Sequence, residues 1–221
     1  MKPARLLSAL AAFVSAGALF VSAPAVQAAD DQVLPLRQAV ASLPVADEDR
    51  TGYDRDLFRH WVDADRDGCD TRREVLLEEA VTAPEVTGRC TLTAGTGTWY
   101  SWYDDTTVTG SRATDIDHLV PLAEAWDSGA STWTPKHREE YANDLGDPRA
   151  LVAVTARSNR QKSDQDVAEW LPAENVVCRY IGEWTAVKLR HRLTADPTEH
   201  AVLTERATGC PNEPVRIIPT D

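Results

Sequence analysis

The chain has 221 residues, 43% of them hydrophobic and 26% charged, with a formal net charge of −12. That is enough apolar material for one domain with a real core. The acidic balance argues against tight, non-specific binding of nucleic acid, which relies on Lys and Arg neutralising phosphates, but it leaves room for chemistry on a polyanion at a metal site with a local basic patch.

Residues 1–28 read as a secretory signal peptide. Lys2 and Arg5 form a positive start, an apolar run extends from Leu6 to Val21, and Val26-Gln27-Ala28 offers small or apolar residues where a signal peptidase reads. A membrane anchor is the competing reading, disfavoured by the shortness of the run and its Ala and Ser content. Without Lys2 and Arg5, 21 basic residues face 35 acidic ones, a charge of −14. The mature chain, 29–221, is expected to be secreted, soluble and monomeric, with no stable membrane association. Cys69, Cys90, Cys178 and Cys210 all lie in it. In an oxidising compartment four cysteines suggest two disulfides, with three connectivities open. Sequential pairing, Cys69–Cys90 and Cys178–Cys210, closes modest local loops. A four-thiolate zinc site is the alternative, but no two cysteines have the close spacing zinc favours.

Leu34, Leu36, Val40 and Leu43 suggest a short packed helix within 29–49. Tyr53, Leu57, Phe58 and Trp61 fall at helical spacing, so 53–62 is expected as an amphipathic helix, with His60 off its apolar stripe. Segment 63–74 follows, with Asp63, Asp65 and Asp67 at loop positions 1, 3 and 5, Gly68 at 6 and Glu74 at 12. This matches a calcium loop, whose alternate side chains converge on one hard cation. Cys69 lies inside it, and Asp70 stands where an apolar residue is usual. An acidic turn capping a helix at Thr71, with Arg72 and Arg73 pairing the carboxylates, is an equal alternative.

Short strands are expected at 90–93, 97–102 and 106–109. Trp99 and Trp102 suit the core of a small sheet better than stacking on nucleobases. The stretch 114–122 reads as a strand ending in Asp117-His118, with Ile116, His118 and Val120 on one face and Asp115, Asp117 and Leu119 on the other. Helices are expected at 122–127 and, capped by Thr134 with Pro135 at its first position, to about Asn143. A strand at 150–155 and a helix from Ser158 to Glu169 follow. The tail reads as a helix from about 175 to 193 and another from about 198. His137, His191 and His200 lie in charged helical segments with no partner pattern. Strand, inserted helices, strand and helix can bring Asp117 and Asn159 to opposite sides of one divalent ion, with His118 beside a bound water. Glu124 reads as an outer hydrogen-bond acceptor or a helix salt-bridge partner.

Asp117-His118-Leu119-Val120-Pro121-Leu122, Asn143-Asp144-Leu145 and the run from Ser158 to Asp164 resemble the HNH endonuclease superfamily, and more closely its secreted actinobacterial branch with a DHxVPLAEAW signature. The resemblance covers most of the mature chain, with its core at 114–170. It implies an α+β fold: a ββα-metal finger embedded in a mostly helical single domain with a small antiparallel sheet. It also implies His118 as general base, Asp117 and Asn159 as ligands of Mg²⁺ or Mn²⁺, and Lys162 and Arg160 as phosphate contacts. The family's central Asn, which orients the His, has no clear counterpart: Asn143 or a backbone carbonyl must take that place. The expected function is a secreted, metal-dependent endonuclease acting on DNA, with RNA as the alternative substrate. Its rivals are an inactive secreted domain stabilised by Ca²⁺ and a phosphodiesterase acting on a small or cell-wall phosphodiester.

Overall fold

A computed structural model of the protein describes residues 31–220; the signal peptide expected at 1–28 lies outside them. The described residues form an α+β domain. In chain order the elements are β1 (Gln32–Pro35), α1 (Leu36–Ala41), α2 (Thr71–Glu78), β2 (Ala80–Thr82), β3 (Val86–Thr87), β4 (Thr91–Leu92), β5 (Thr98–Ser101), β6 (Thr106–Thr109), β7 (Thr114–His118), α3 (Leu122–Asp127), α4 (Pro135–Ala142), β8 (Leu151–Thr155), α5 (Ala156–Lys162), α6 (Val177–Arg190), α7 (Pro197–Gly209) and β9 (Pro214–Ile217). No helix among them is long and apolar enough to cross a membrane.

The sheets are small and antiparallel: β1 with β9, β2–β5–β6, β3 with β4, and β7 with β8. Strand β7 runs against β8 from Thr114↔Thr155 to His118↔Leu151. Helix α5 leaves directly from β8, because Thr155 Oγ1 accepts the Ser158 N–H and caps it. All five residues of β8 are buried, as expected for a strand covered on both faces.

Two cores hold this unit. The larger surrounds α6, where Tyr180, Ile181 and Trp184 are fully buried against α1, α3 and α7. The smaller packs Val75 and Leu76 of α2 against Trp99, Ile116, Leu151 and Ala153. Trp99 and Trp102 are both core residues, as their pattern suggested. The disulfides are Cys69–Cys90 and Cys178–Cys210. The second joins the N-terminal ends of α6 and the tail beyond α7.

The short packed helix expected within 29–49 is α1, with Leu36 and Val40 buried and strand β1 before it. Two other expected helices are corrected. Segment 53–62 holds only a 3₁₀ turn, Arg55–Leu57. Phe58 alone of its stripe is buried, and Trp61 sits at φ +59°, which no helix allows. The expected helix 158–169 ends at Lys162, where Ser163 turns left-handed at φ +53°.

Candidate active site

Strand β7 and helix α5 build one wall of a cleft of about 470 Å³, lined by Asp117, His118, Asn159 and Arg160. Tyr53 and Arg55, from the turn before the Phe58 anchor, line it too. The cleft therefore brings together the residues singled out at 117, 118 and 159, although they lie about forty positions apart in the chain.

His118 is buried, with rings on several sides. Trp61 lies 5.5 Å from it, His60 6.4 Å and Tyr141 6.5 Å, measured between centroids. Its Nε2 is 2.9 Å from the Ala142 carbonyl oxygen. A carbonyl only accepts, so the contact fixes the proton on Nε2 and leaves Nδ1 with its lone pair. Burial drives the imidazole down to about 3; the Ala142 carbonyl opposes this, and the positive charge of Arg55 adds to it. The ring is neutral at neutral pH, with Nδ1 unprotonated.

Asn143 does not touch the ring. It is the C-cap of α4, and its side chain is fully used elsewhere. Oδ1 accepts from the Val62 N–H and Thr71 Oγ1, while Nδ2 donates to the carbonyls of Arg59 and Glu139. The amide thus holds the left-handed turn that carries His60 and Trp61 against His118, and the carbonyl one residue earlier takes the imidazole. His60, off the apolar stripe of 53–62, is one of the rings around the site.

Asp117 points toward α5. Its Oδ1 accepts from Lys162 Nζ at 3.0 Å, and Oδ2 from Tyr103 Oη at 2.7 Å and from Lys162 at 2.9 Å. Lys162, expected as a phosphate contact, is instead completely buried and also donates to the His118 carbonyl at 3.0 Å. An ammonium with no exposed surface cannot meet a substrate directly. Burial pushes Asp117 up and Lys162 down, and their mutual attraction opposes both shifts. Asn159 is half-buried and donates to Asp115 Oδ2 at 3.3 Å. Arg160 stays largely exposed, 3.5 Å from the same carboxylate. Glu124 is a salt-bridge partner, of Lys188 in the main core.

Away from the cleft, the carboxylates of Asp63, Asp65 and Asp67 lie within 4.8 Å of one another. Burial and then these aspartates push the Glu74 carboxyl up, so it sits in their field. Cys69 contributes a backbone N–H to Asp67 and its sulfur to a disulfide. Asp70 caps α2 and pairs with Arg73. The preceding helix of a calcium loop is missing. His191 also needs correcting: it does have a partner, Asp144, 2.9 Å away and held by Arg190 as well.

Of the two groups expected to hold the imidazole, the structure has the backbone carbonyl, that of Ala142, and not Asn143. Sequence reasoning missed Tyr103 and Arg55, which reach the cleft from segments distant in the chain.

The profile of "GmrSD restriction endonucleases, C-terminal domain" matches residues 71–205, which include β7, β8 and α5. An "Uncharacterized secreted protein" of Arthroderma benhamiae is 40% identical over 160 residues, covering 72% of this chain and 76% of the relative. No solved structure matches. On the extent of the profile match, the chain belongs to the family of the C-terminal domain of GmrSD restriction endonucleases.

Proposed function

We propose that the protein is a secreted, metal-dependent endonuclease of the HNH type that hydrolyses phosphodiester bonds of DNA. One observation carries the reading: a neutral imidazole, with its Nε2 proton committed to a backbone carbonyl, shares a cleft with a carboxylate and an amide oxygen. The restriction-endonuclease family, the secreted relative and the two disulfides support it. The order strand, strand, helix in β7–β8–α5 supports the HNH part of the reading.

Asp117 and Asn159 would hold Mg²⁺ or Mn²⁺. Both residues line one cleft and carry hard oxygen donors, and one carboxylate suits a small ion that keeps several of its waters. When bound, the ion would polarise the phosphate and stabilise charge on the leaving oxygen. Lys162 and Tyr103 fix the Asp117 carboxylate from behind. His118 accepts a proton from water at Nδ1 as the water oxygen bonds to phosphorus and the P–O bond to the leaving oxygen breaks. The Ala142 carbonyl holds the ring throughout, and Arg160 lies at the rim to meet phosphate oxygens.

The test is plasmid cleavage by the mature protein with Mg²⁺ or Mn²⁺, with and without EDTA. We expect metal-dependent nicking, and a loss of 10²–10⁴-fold in His118→Ala with the fold retained by circular dichroism. Nicking by that variant at the wild-type rate would remove His118 from the mechanism. Clean protein inactive with every metal would favour the non-enzymatic reading. Separately, we propose that the 63–74 loop binds Ca²⁺ for stability through Asp63, Asp65, Asp67, the Cys69 backbone and Glu74. Unchanged Ca²⁺ dependence of Tm in Asp65→Ala would leave the loop a simple turn.

A further inference from the structure

The cleft is lined by two arginines of different character. Arg160 has Asp115 3.5 Å away. Nearby Arg50 is committed to Asp127 and Asp164, at 2.6 and 2.8 Å. Arg55, among the described residues, has no carboxylate within salt-bridge distance, yet it is exposed and lines the cleft with His118, Asp117 and Asn159. What sets Arg55 apart is its place: a guanidinium without a carboxylate partner lies in the same cleft as His118.

The backbone under Arg55 is built to stay in place. Asp54 caps its 3₁₀ turn by accepting the Asp56 N–H at 2.9 Å. Phe58, immediately after the turn, is fully buried among Tyr53, Trp126 and Tyr141. A guanidinium so mounted presents a planar donor fork that matches two phosphate oxygens. Its charge also helps keep His118 neutral.

We propose that Arg55 is the substrate anchor of this cleft: it binds the phosphodiester backbone from the wall opposite α5 and draws the scissile region toward His118. The assignment rests on the nuclease reading above and adds a residue to it. It also explains how an acidic protein engages a polyanion: one locally unopposed cation works inside a cleft whose other charges are largely offset.

The experiment compares the mature wild type with Arg55→Ala, Arg55→Lys and Arg59→Ala. Arg59 belongs to the same segment but pairs with Glu139, so its loss removes equal charge outside the cleft. Binding of a labelled short DNA duplex is measured by anisotropy in EDTA across a salt series, and KM and kcat are measured in Mg²⁺. Arg55→Ala should bind about tenfold more weakly, with the slope of log K against log salt flatter by about one. Its KM should rise in parallel, Lys should recover part of the loss because the charge remains without the fork, and Arg59→Ala should follow the wild type. Equal losses in Arg55→Ala and Arg59→Ala, or an Arg55→Ala variant that binds like the wild type, would overturn the anchor. If His118-dependent cleavage persists in that case, the anchor alone falls; a wild type that neither binds nor cleaves DNA overturns both readings.

Discussion

Lys162 and Lys188 are both completely buried, yet their surroundings push them in opposite directions. Lys188, in the main core, reaches Glu124 at 2.6 Å and Glu199 at 2.5 Å, as well as Ser128 Oγ and the Thr194 carbonyl. Two carboxylates outweigh the cost of burial and raise its affinity for the proton. Lys162, behind the cleft, has one carboxylate, Asp117, and the His118 carbonyl. There burial wins, and the proton is held less tightly. The scaffold lysine is over-supplied with negative charge, whereas the site lysine is balanced one to one. A one-to-one pair adds no net charge to the neighbouring cleft. The core cluster needs only to stay shut.

Lys188→Met should break this contrast from the scaffold side, with the largest effect. It strands two buried carboxylates and should cost about 3–5 kcal/mol in urea denaturation, or prevent folding. Lys162→Met leaves one carboxylate at the edge of a cleft that water can reach. Its stability loss should be at the lower end, about 3 kcal/mol, while nuclease activity or apparent Mn²⁺ affinity falls 10–100-fold, as when an outer partner of a metal ligand is lost. Equal stability losses with unchanged Mn²⁺ affinity in Lys162→Met would erase the distinction. Asp144 sharpens it with a third buried cluster. Hydrogen bonds from Arg190 and His191 outweigh burial and hold its carboxyl well below the usual range. The unfolded chain therefore takes up this proton first as pH falls, so the contribution is present above the ordinary value of 3.8 and drains away below it. Asp144→Asn should lose about 2 kcal/mol at neutral pH and show a shallower decline in stability below pH 3.8, read from acid titrations of the circular dichroism. The smallest effect belongs to Tyr103→Phe, which removes one hydrogen bond to Asp117 and should cost about 1.5 kcal/mol. A measurable drop in Mn²⁺ affinity would show that the hydroxyl positions the carboxylate as well as stabilising it.

Features set by near neighbours in the chain were legible beforehand. Thr134 and Pro135 start α4, Gly129 lies just past α3, and the alternation of β7 sends Asp115 and Asp117 toward α5 and Ile116 into the smaller core. Both disulfides follow the sequential pairing. Legibility failed where a distant group overrides local preference. The apolar spacing of 53–62 favours a helix, but Asn143 holds Arg59 and Val62 in another shape. Lys162 looks like a solvated helix residue until Asp117 and Tyr103 are placed over it. His191 finds its carboxylate 47 positions away. Of the site, the chemistry-bearing side chains were readable and the groups that orient them were not.

The four hydrogen bonds of Asn143 have a consequence for time as well as for shape. Three of them bridge 72 to 84 positions of chain. Contacts of that span form only after a large loop has closed, so their entropic cost is high. The His60–Trp61 turn thus depends on one amide: without Asn143, His118 keeps Tyr141 beside it but loses what holds its other two rings in place. Amide protons of Val62 and Gly68 should exchange faster than those of β8 in the native protein, and opening of this turn would take two of the three rings away from His118.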